Sequence, residues 1–206
     1  MYIEKKGVFK MSLQEREIRK MRTMILTALM MALIMVLTFA TKIPVPATQG
    51  YIHLGDCMIF MAVIILGRKY GALAAALGSA MADVVGGYAF YAPVSFLVKG
   101  AMALILASFL GWALEKGRMH SMILAAVGMT IAGAVMVAGY YAAETVMYGS
   151  FITPLTGVPM NILQFVVGIA VSLPLAGALG RTALGRDFAY HINRHDHNPR
   201  AAVAGK

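Results

Sequence analysis

The stretch MILTALMMALIMVLTFA, residues 24–40, contains no charged side chain and is long enough to cross the hydrocarbon core of a membrane as a helix. The polar residues 1–20 that precede it mix Glu15 and Glu17 with lysines and arginines. A segment of this length and acidity does not fit the short, positively charged start of a signal peptide. We therefore expect residues 24–40 to be retained as the first transmembrane helix.

Further apolar blocks follow, each bounded by charge, proline or glycine rather than by amphipathic alternation. They predict helices at about 22–40, 52–67, 70–86, 94–114, 121–147 and 158–180. The second is short for a spanning helix, so we expect it to be short or partly extended by the preceding loop. The predicted fold is an all-α integral membrane protein with about six transmembrane helices in one bundle. The expected N-terminal segment, membrane domain and tail are 1–21, 22–180 and 181–206.

The composition excludes a water-soluble domain. Hydrophobic residues make up 60% of the 206 residues and charged residues 13%, whereas soluble domains have roughly 45–50% and about 25%. The formal charge of +9 would fit nucleic-acid binding, but the basic residues cluster at the termini and in short loops. We therefore predict contact with the lipid bilayer and no nucleic-acid partner. The single cysteine, Cys57, excludes an internal disulfide and a multi-cysteine metal site.

The lysines and arginines are distributed unequally across this predicted topology. Of the 18, sixteen lie on one side, at the termini and in the second and fourth loops, and two, Lys42 and the intramembrane Lys99, do not. Because cytoplasmic loops carry the excess of positive charge, we expect both termini in the cytoplasm of a multi-pass protein of the cell membrane. The loops around 41–51, 87–93 and 148–157 then face outward.

Polar side chains within the predicted helices gather in the half nearest the outward loops, while the inner half has almost none. Ionisable groups in membrane segments are costly and by default mark functional sites. Together with loop tyrosines, these side chains predict a substrate-binding cup that opens outward, formed by Tyr51, His53, Asp56, Asp83, Tyr91, Lys99, Tyr140, Glu144, Asn161 and Gln164.

Several of these residues also have a structural interpretation. Lys99 needs a carboxylate such as Asp83 or Glu144, or an acceptor on a ligand. Asp56 is also suited to capping the second helix at the membrane interface. The amide side chains at the start of the sixth helix are able to join helices by hydrogen bonds. The sequence leaves these alternatives open.

The common catalytic and nucleotide-binding signatures are missing. The chain has no GxxxxGK[ST] phosphate loop, no HExxH and no GxSxG motif. We therefore predict that the protein is not an enzyme and that it has no catalytic residue, no cofactor and no metal site. The histidines His191, His195 and His197 are interpreted as part of a solvated cytoplasmic tail.

A set of short motifs in a fixed order carries a family resemblance. The motifs are YIHLGD at 51–56, the segment 78–83, YAP at 91–93, KG at 99–100 and PMN at 159–161 followed by Gln164. With them, the chain resembles over about residues 22–180 the S components of energy-coupling factor (ECF) transporters, especially the riboflavin-transporter-like branch.

The resemblance implies a six-helix membrane protein that captures a vitamin or its precursor from outside. Transport then requires a separate membrane coupling protein, the T component, and two cytoplasmic ATPases. Ala28 and Ala32 match the Ala-x-x-x-Ala pattern with which such S components contact the T component, although small residues at this spacing also pack membrane helices in general. The implied ligand-binding positions are Lys99, Tyr140, Glu144, Asn161 and Gln164.

The polar set fits a flat heterocycle such as riboflavin, a pyridoxine-like ring or hydroxymethylpyrimidine, and the sequence does not choose among them. Two other classes of function remain as alternatives. A self-sufficient permease would need paired repeats or a coupling-ion site, and the sequence has no clear internal repeat. An intramembrane enzyme would use Asp83, Lys99 and Glu144 as acid–base groups, but no known catalytic spacing supports it.

Overall fold

The structure is a computed structural model that describes residues 13–45, 50–113, 118–179 and 181. Within these ranges it contains five α-helices, which are α1 Leu13–Ala40, α2 Gly55–Val85, α3 Ala92–Ala113, α4 Arg118–Tyr148 and α5 Val158–Leu179. It also contains a two-stranded sheet and a 3₁₀ helix, which are β1 Ile43–Val45, β2 Gly50–Ile52 and η1 Thr153–Thr156. Each of the five described α-helices has a stretch long and apolar enough to cross a membrane.

The helix α2 consists of two arms, 55–66 and 68–85, joined by a sharp turn. At the turn, Gly67 has φ 73° and ψ −169°, a backbone conformation that glycine adopts far more readily than other residues. The second arm then lies against the first, since a Cβ placed on Gly71 would be 2.7 Å from the Cα of Val63. In a straight helix these positions would be about 12 Å apart along the axis. Counting the two arms of α2 separately, the described chain has six α-helical segments, close to the predicted number of about six.

The start of the first helix was predicted too late. α1 begins at Leu13, well before the predicted start at residue 22. The added residues are mostly exposed and include Glu15, Arg16 and Lys20, which are good helix formers. Charge limits the part of a helix that lies in a membrane, but it does not end the helix. The first twelve residues and the tail from residue 182, with its histidines, lie outside the described part of the chain.

The connection before α2 contains a β-hairpin that the sequence did not predict. Strands β1 and β2 pair antiparallel, with Ile43 opposite Ile52. The hairpin is tied to the end of α2 by Lys42, whose Nζ donates to the Gly86 carbonyl at 2.9 Å. The same ammonium lies 4.8 Å from the centre of the Tyr88 ring. We call this part of the bundle, with the nearby segments 86–91 and 149–157, the hairpin end.

Small residues let the helices pack closely. A Cβ on Gly78 of α2 would lie 2.9 Å from the Met31 carbonyl of α1, so only glycine fits there. α2 packs against α1, α3 and α5, and α4 packs against α3 and α5. The residues at the centre of this bundle are apolar and fully buried, and include Ile34, Ile59, Phe60, Met102, Leu106 and Met129.

Candidate substrate-binding site

A cavity opens at the hairpin end of the bundle. Its walls come from β2, the end of α2, the starts of α3 and α5, and the last turns of α4. Most of the lining is polar or aromatic, and it consists of Tyr51, Ile52, His53, Asp83, Tyr91, Ser95, Tyr140, Glu144, Gly157, Asn161 and Gln164.

Next to the cavity lies an ion pair that is closed off from solvent. Lys99 Nζ of α3 is 2.6 Å from Asp56 Oδ1 of α2, and both side chains have 0% exposure. Gln164 of α5 donates from Nε2 to Asp56 Oδ2 at 2.8 Å and accepts the His53 backbone N–H at 3.0 Å. We call Asp56 and Lys99 the buried pair. Together with Gln164, the buried pair holds α2, α3 and α5 together. Gly168, one turn beyond Gln164, allows the approach, because a Cβ there would lie 3.2 Å from Asp56 Cβ.

The remaining contacts of Lys99 are also within the protein. Its Nζ donates to Met136 Sδ at 2.9 Å and lies 5.5 Å from the centre of the Tyr140 ring. Lys99 was expected to meet a carboxylate such as Asp83 or Glu144, or an acceptor on a ligand. In the structure its partner is a carboxylate, but that of Asp56. The capping interpretation of Asp56 was also wrong, since Leu54 is the N-cap of α2 and no side chain caps it.

Tyrosine hydroxyls hold the two carboxyl groups of the cavity. Tyr51 donates to Asp83 Oδ1, and Tyr91 donates to Glu144 Oε1 at 3.2 Å. Burial, followed by the charge of Asp83, raises the pKa of Tyr51 well above its usual value. Burial also raises the pKa of Tyr91, and its hydrogen bond with Tyr148 adds to this. Both phenols therefore stay protonated at neutral pH and act as donors.

Each of these carboxyl groups keeps one oxygen without a partner. Within the described residues, Asp83 Oδ2 and Glu144 Oε2 are buried and accept no hydrogen bond. The side chains of Asp83 and Glu144 are only 3% and 4% exposed. A buried polar atom without a partner costs free energy, so such atoms in a cavity are the places where a bound molecule would gain most.

His53 is a neutral donor at the edge of the same cavity. Burial lowers its pKa to about 4, an effect that Lys99 reinforces and Asp56 opposes. Its Nδ1 accepts the Gly55 backbone N–H at 2.9 Å, so the ring proton lies on Nε2. His53 remains uncharged at neutral pH.

The structure brings together most of the side chains proposed from the sequence. All of the predicted substrate-binding residues line the cavity except Asp56 and Lys99, which form the buried pair beside it. The lining also includes Ser95, Ile52 and Gly157, which were not predicted. Ser95 lies one turn before Lys99, and its hydroxyl is 2.8 Å from that of Tyr140. Its depth in α3 was therefore the signal that could have found it.

The two alanines proposed to contact a coupling protein do not line this cavity. Ala28 and Ala32 are both exposed on α1, among apolar residues such as Ile25 and Leu29 that are also exposed. They are therefore not part of the packing between helices in the described bundle.

Comparison with known proteins assigns the chain to a family. Residues 19–181 match the family model for the S component of ECF-type riboflavin transporters. The chain belongs to this family. A solved structure described as the S component of a bacterial ECF transporter has a TM-score of 0.59 and 19% identity, and the match covers 78% of this chain and 96% of that one. This likeness supports the fold.

Two curated proteins are similar in sequence to this S component. The thiamine precursor transporter HmpT of Lactococcus lactis subsp. cremoris (strain MG1363) is 25% identical over 171 residues, which are 82% of this chain and 95% of that protein. An uncharacterized protein of Pyrococcus woesei is 37% identical over 114 residues, which are 55% of this chain and 72% of that protein. This S component is therefore a multi-pass membrane protein of a family of transporter subunits.

Proposed function

We propose that this S component captures a small heterocyclic vitamin or vitamin precursor from outside the cell. The observation that carries the proposal is the cavity at the hairpin end, where buried carboxyl, amide and hydroxyl groups face one space in an otherwise apolar bundle. Such a cavity suits a small solute with hydrogen-bonding groups around an aromatic ring. The family is named for riboflavin and one relative for a thiamine precursor, and both are of this class.

Binding is tested by purifying the protein and identifying the solute that it carries. We expect denaturation of the purified protein to release one heterocyclic compound, which mass spectrometry then identifies. Calorimetric titration of the solute-free protein with that compound should then show binding. Release of no solute, together with no binding of riboflavin, pyridoxine or hydroxymethylpyrimidine, would contradict the proposal.

In this proposal, delivery of the solute into the cell requires a T component and two cytoplasmic ATPases. The chain has no phosphate loop of its own. We therefore expect vesicles with the S component alone to bind solute without accumulating it, and vesicles with the full complex and ATP to accumulate it. Accumulation by the S component alone would instead identify a self-sufficient permease.

From the charge asymmetry of the sequence we infer that both termini lie in the cytoplasm and that the cavity faces outward. Cysteine labelling tests it with low background, because the single native Cys57 is buried. Thr153→Cys should react with an impermeant reagent in intact cells, and Gln14→Cys only with a permeant one. The opposite pattern would place the cavity on the cytoplasmic side.

The exposed alanines of α1 provide the proposed contact with the T component. Replacing Ala28 and Ala32 together by leucine should prevent assembly and abolish uptake, while solute binding by the isolated subunit should persist. Ala138 and Ala142 of α4 have the same spacing and are also exposed, so the matching double leucine variant is a control for added bulk. Equal loss of uptake in both variants would argue against a specific contact.

A further inference from the structure

A groove with apolar walls lies between α4 and α5, on the side of the bundle that faces the membrane. Its walls include Ala134, Val137 and Tyr141 of α4, Leu155 of η1, and Ile162 and Phe165 of α5. The Tyr141 hydroxyl, the polar atom among these side chains, already donates to the Phe151 carbonyl at 3.1 Å. These side chains therefore offer a bound molecule apolar surface and no free hydrogen-bond donor.

The groove is separate from the substrate-binding cavity, although both use α5. Asn161 and Gln164 line the cavity, whereas Ile162 and Phe165 line the groove. Among the described residues, the cavity and the groove share no lining residue. The first turns of α5 therefore form a wall with a polar site on one face and an apolar site on another.

The depth of the groove places it in the hydrocarbon region of the membrane. At a rise of about 1.5 Å per residue, Ala134 and Tyr141 lie about 21 Å and about 10 Å along the helix from the end of α4 at Tyr148. One leaflet of a bilayer contributes about 15 Å of hydrocarbon. The groove therefore lies in the leaflet at the hairpin end and reaches toward the middle of the bilayer, where its occupant comes from the membrane and not from water.

The two ends of the groove favour a flexible chain over a helix as this occupant. At the hairpin end, η1 connects α4 to α5 and packs against both, and Leu155 of η1 forms part of the wall. At the other end Phe165 packs directly on α4, since a Cβ on Gly133 would overlap its ring. A helix with its side chains is rigid and about 10 Å across, so it does not fit along a groove bounded at both ends. An acyl chain is narrower and bends, and it can enter from the side that faces lipid.

We propose that the groove binds one acyl chain of a phospholipid from the leaflet at the hairpin end, and that this chain helps to hold η1 and the start of α5 against α4. In the protein alone Leu155 is 53% exposed and Ile162 43% exposed, so a bound chain has apolar surface to cover. The head group is not part of the recognition, because the groove side chains have no free donor for it. This site does not depend on the identity of the solute or on solute capture.

The first test compares lipids that share a head group but differ in chain length. The purified S component is stripped of lipid in detergent, and its thermal unfolding is measured with dioleoyl phosphatidylcholine, dioleoyl phosphatidylglycerol or dihexanoyl phosphatidylcholine. We expect both long-chain lipids to raise the unfolding temperature by at least about 2 °C and the short-chain lipid to leave it unchanged, since a ligand that binds the folded state stabilises it. No shift, an equal shift with the short-chain lipid, or a shift with one head group alone would overturn the inference.

The second test fills the groove. Ala134→Phe places a ring where the chain would lie, whereas Ala170→Phe adds the same ring at an exposed position of α5 outside the groove and is the matched control. Native mass spectrometry measures the phospholipid that each protein retains. Because each buried CH₂ that is lost weakens binding about fourfold, we expect Ala134→Phe to bind dioleoyl phosphatidylcholine at least about tenfold more weakly than the original protein, and Ala170→Phe to bind it equally well. Equal retention by both variants would overturn the assignment to this groove.

A second copy of the chain is the alternative occupant, and sedimentation of the same samples tests it. We expect the original protein and Ala134→Phe to have the same oligomeric state. A dimer that Ala134→Phe converts to monomers, without retained lipid in the original protein, would show that a second copy covers the groove and would overturn the inference. If Ala134→Phe does not fold, the comparison of long-chain and short-chain lipids on the original protein still decides.

Discussion

The buried pair and the cavity carboxyl groups are two acidic clusters that lie close together but differ in how completely they are satisfied. Asp56 has Lys99 on one oxygen and Gln164 on the other, and it has 0% exposure. Asp83 and Glu144 each have a tyrosine on one oxygen and no partner on the other within the described chain. All three side chains are buried, so burial alone does not separate structural groups from binding groups.

The difference suggests two roles for carboxyl groups at the same end of the molecule. A fully paired buried charge resists change, because removing either partner leaves the other unpaired in a medium of low dielectric. A half-paired carboxyl group retains an acceptor for a solute. The contrast is measurable, since variants of the first kind should mainly change stability and variants of the second kind should mainly change affinity.

The largest effect on stability is expected for Lys99→Met. This change leaves Asp56 buried without its cation, which typically costs about 3–5 kcal/mol of folding free energy. Thermal or denaturant unfolding of the purified protein measures it. The double variant Lys99→Met with Asp56→Asn removes both charges and should recover part of the loss. If Lys99→Met instead kept full stability and lost affinity, Lys99 would belong to the solute contact and the comparison would fail.

An intermediate effect is expected for Gln164→Leu, because Gln164 takes part in both clusters. The change removes the partners of Asp56 Oδ2 and of the His53 backbone N–H, and we expect a loss of about 2 kcal/mol in stability. Affinity should fall as well, because Gln164 also lines the cavity. Unfolding and calorimetric titration are both required. A loss of affinity with unchanged stability would assign Gln164 to the cavity alone.

The smallest effect on stability is expected for Asn161→Ala. The Asn161 side chain lines the cavity and is neither fully buried nor hydrogen-bonded within the described residues. Stability should change by less than about 0.5 kcal/mol. Affinity should fall about tenfold, which corresponds to about 1.4 kcal/mol. Titration of this variant with the co-purified solute tests the expectation, and an unchanged affinity would remove Asn161 from the site.

The helical fold was predictable because apolar blocks of membrane length leave few alternatives for a backbone that must satisfy its own hydrogen bonds. The sharp turn at Gly67 was visible as the charged pair Arg68 and Lys69 between two apolar blocks. The β-hairpin was not, because strands of three residues give no periodic signal. The early start of α1 was missed because hydropathy indicates which residues lie in the membrane, not where the helix begins.

The sequence predicts how deep the site residues lie in the membrane, but not which way their side chains face. Counting helical turns places Asp56, Asp83, Lys99 and Glu144 at similar depths, but it does not show which side chains face each other across the bundle. The choice of Asp56 as the partner of Lys99 depends on how α2 and α3 are rotated against each other, which tertiary packing decides. This is also why the half-satisfied state of the other carboxyl groups required a structure.

The short first arm of α2 sets the depth of the cavity relative to the lipid headgroups. Residues 55–66 extend only about 18 Å as a helix, whereas the hydrocarbon core of a bilayer is about 30 Å thick. Part of the missing length is supplied by Ile52 and His53, which are buried by protein, a setting in which non-helical backbone is tolerated at membrane depth. A solute that reaches these residues therefore leaves the aqueous phase and binds below the membrane surface, where bulk water no longer competes for its hydrogen bonds.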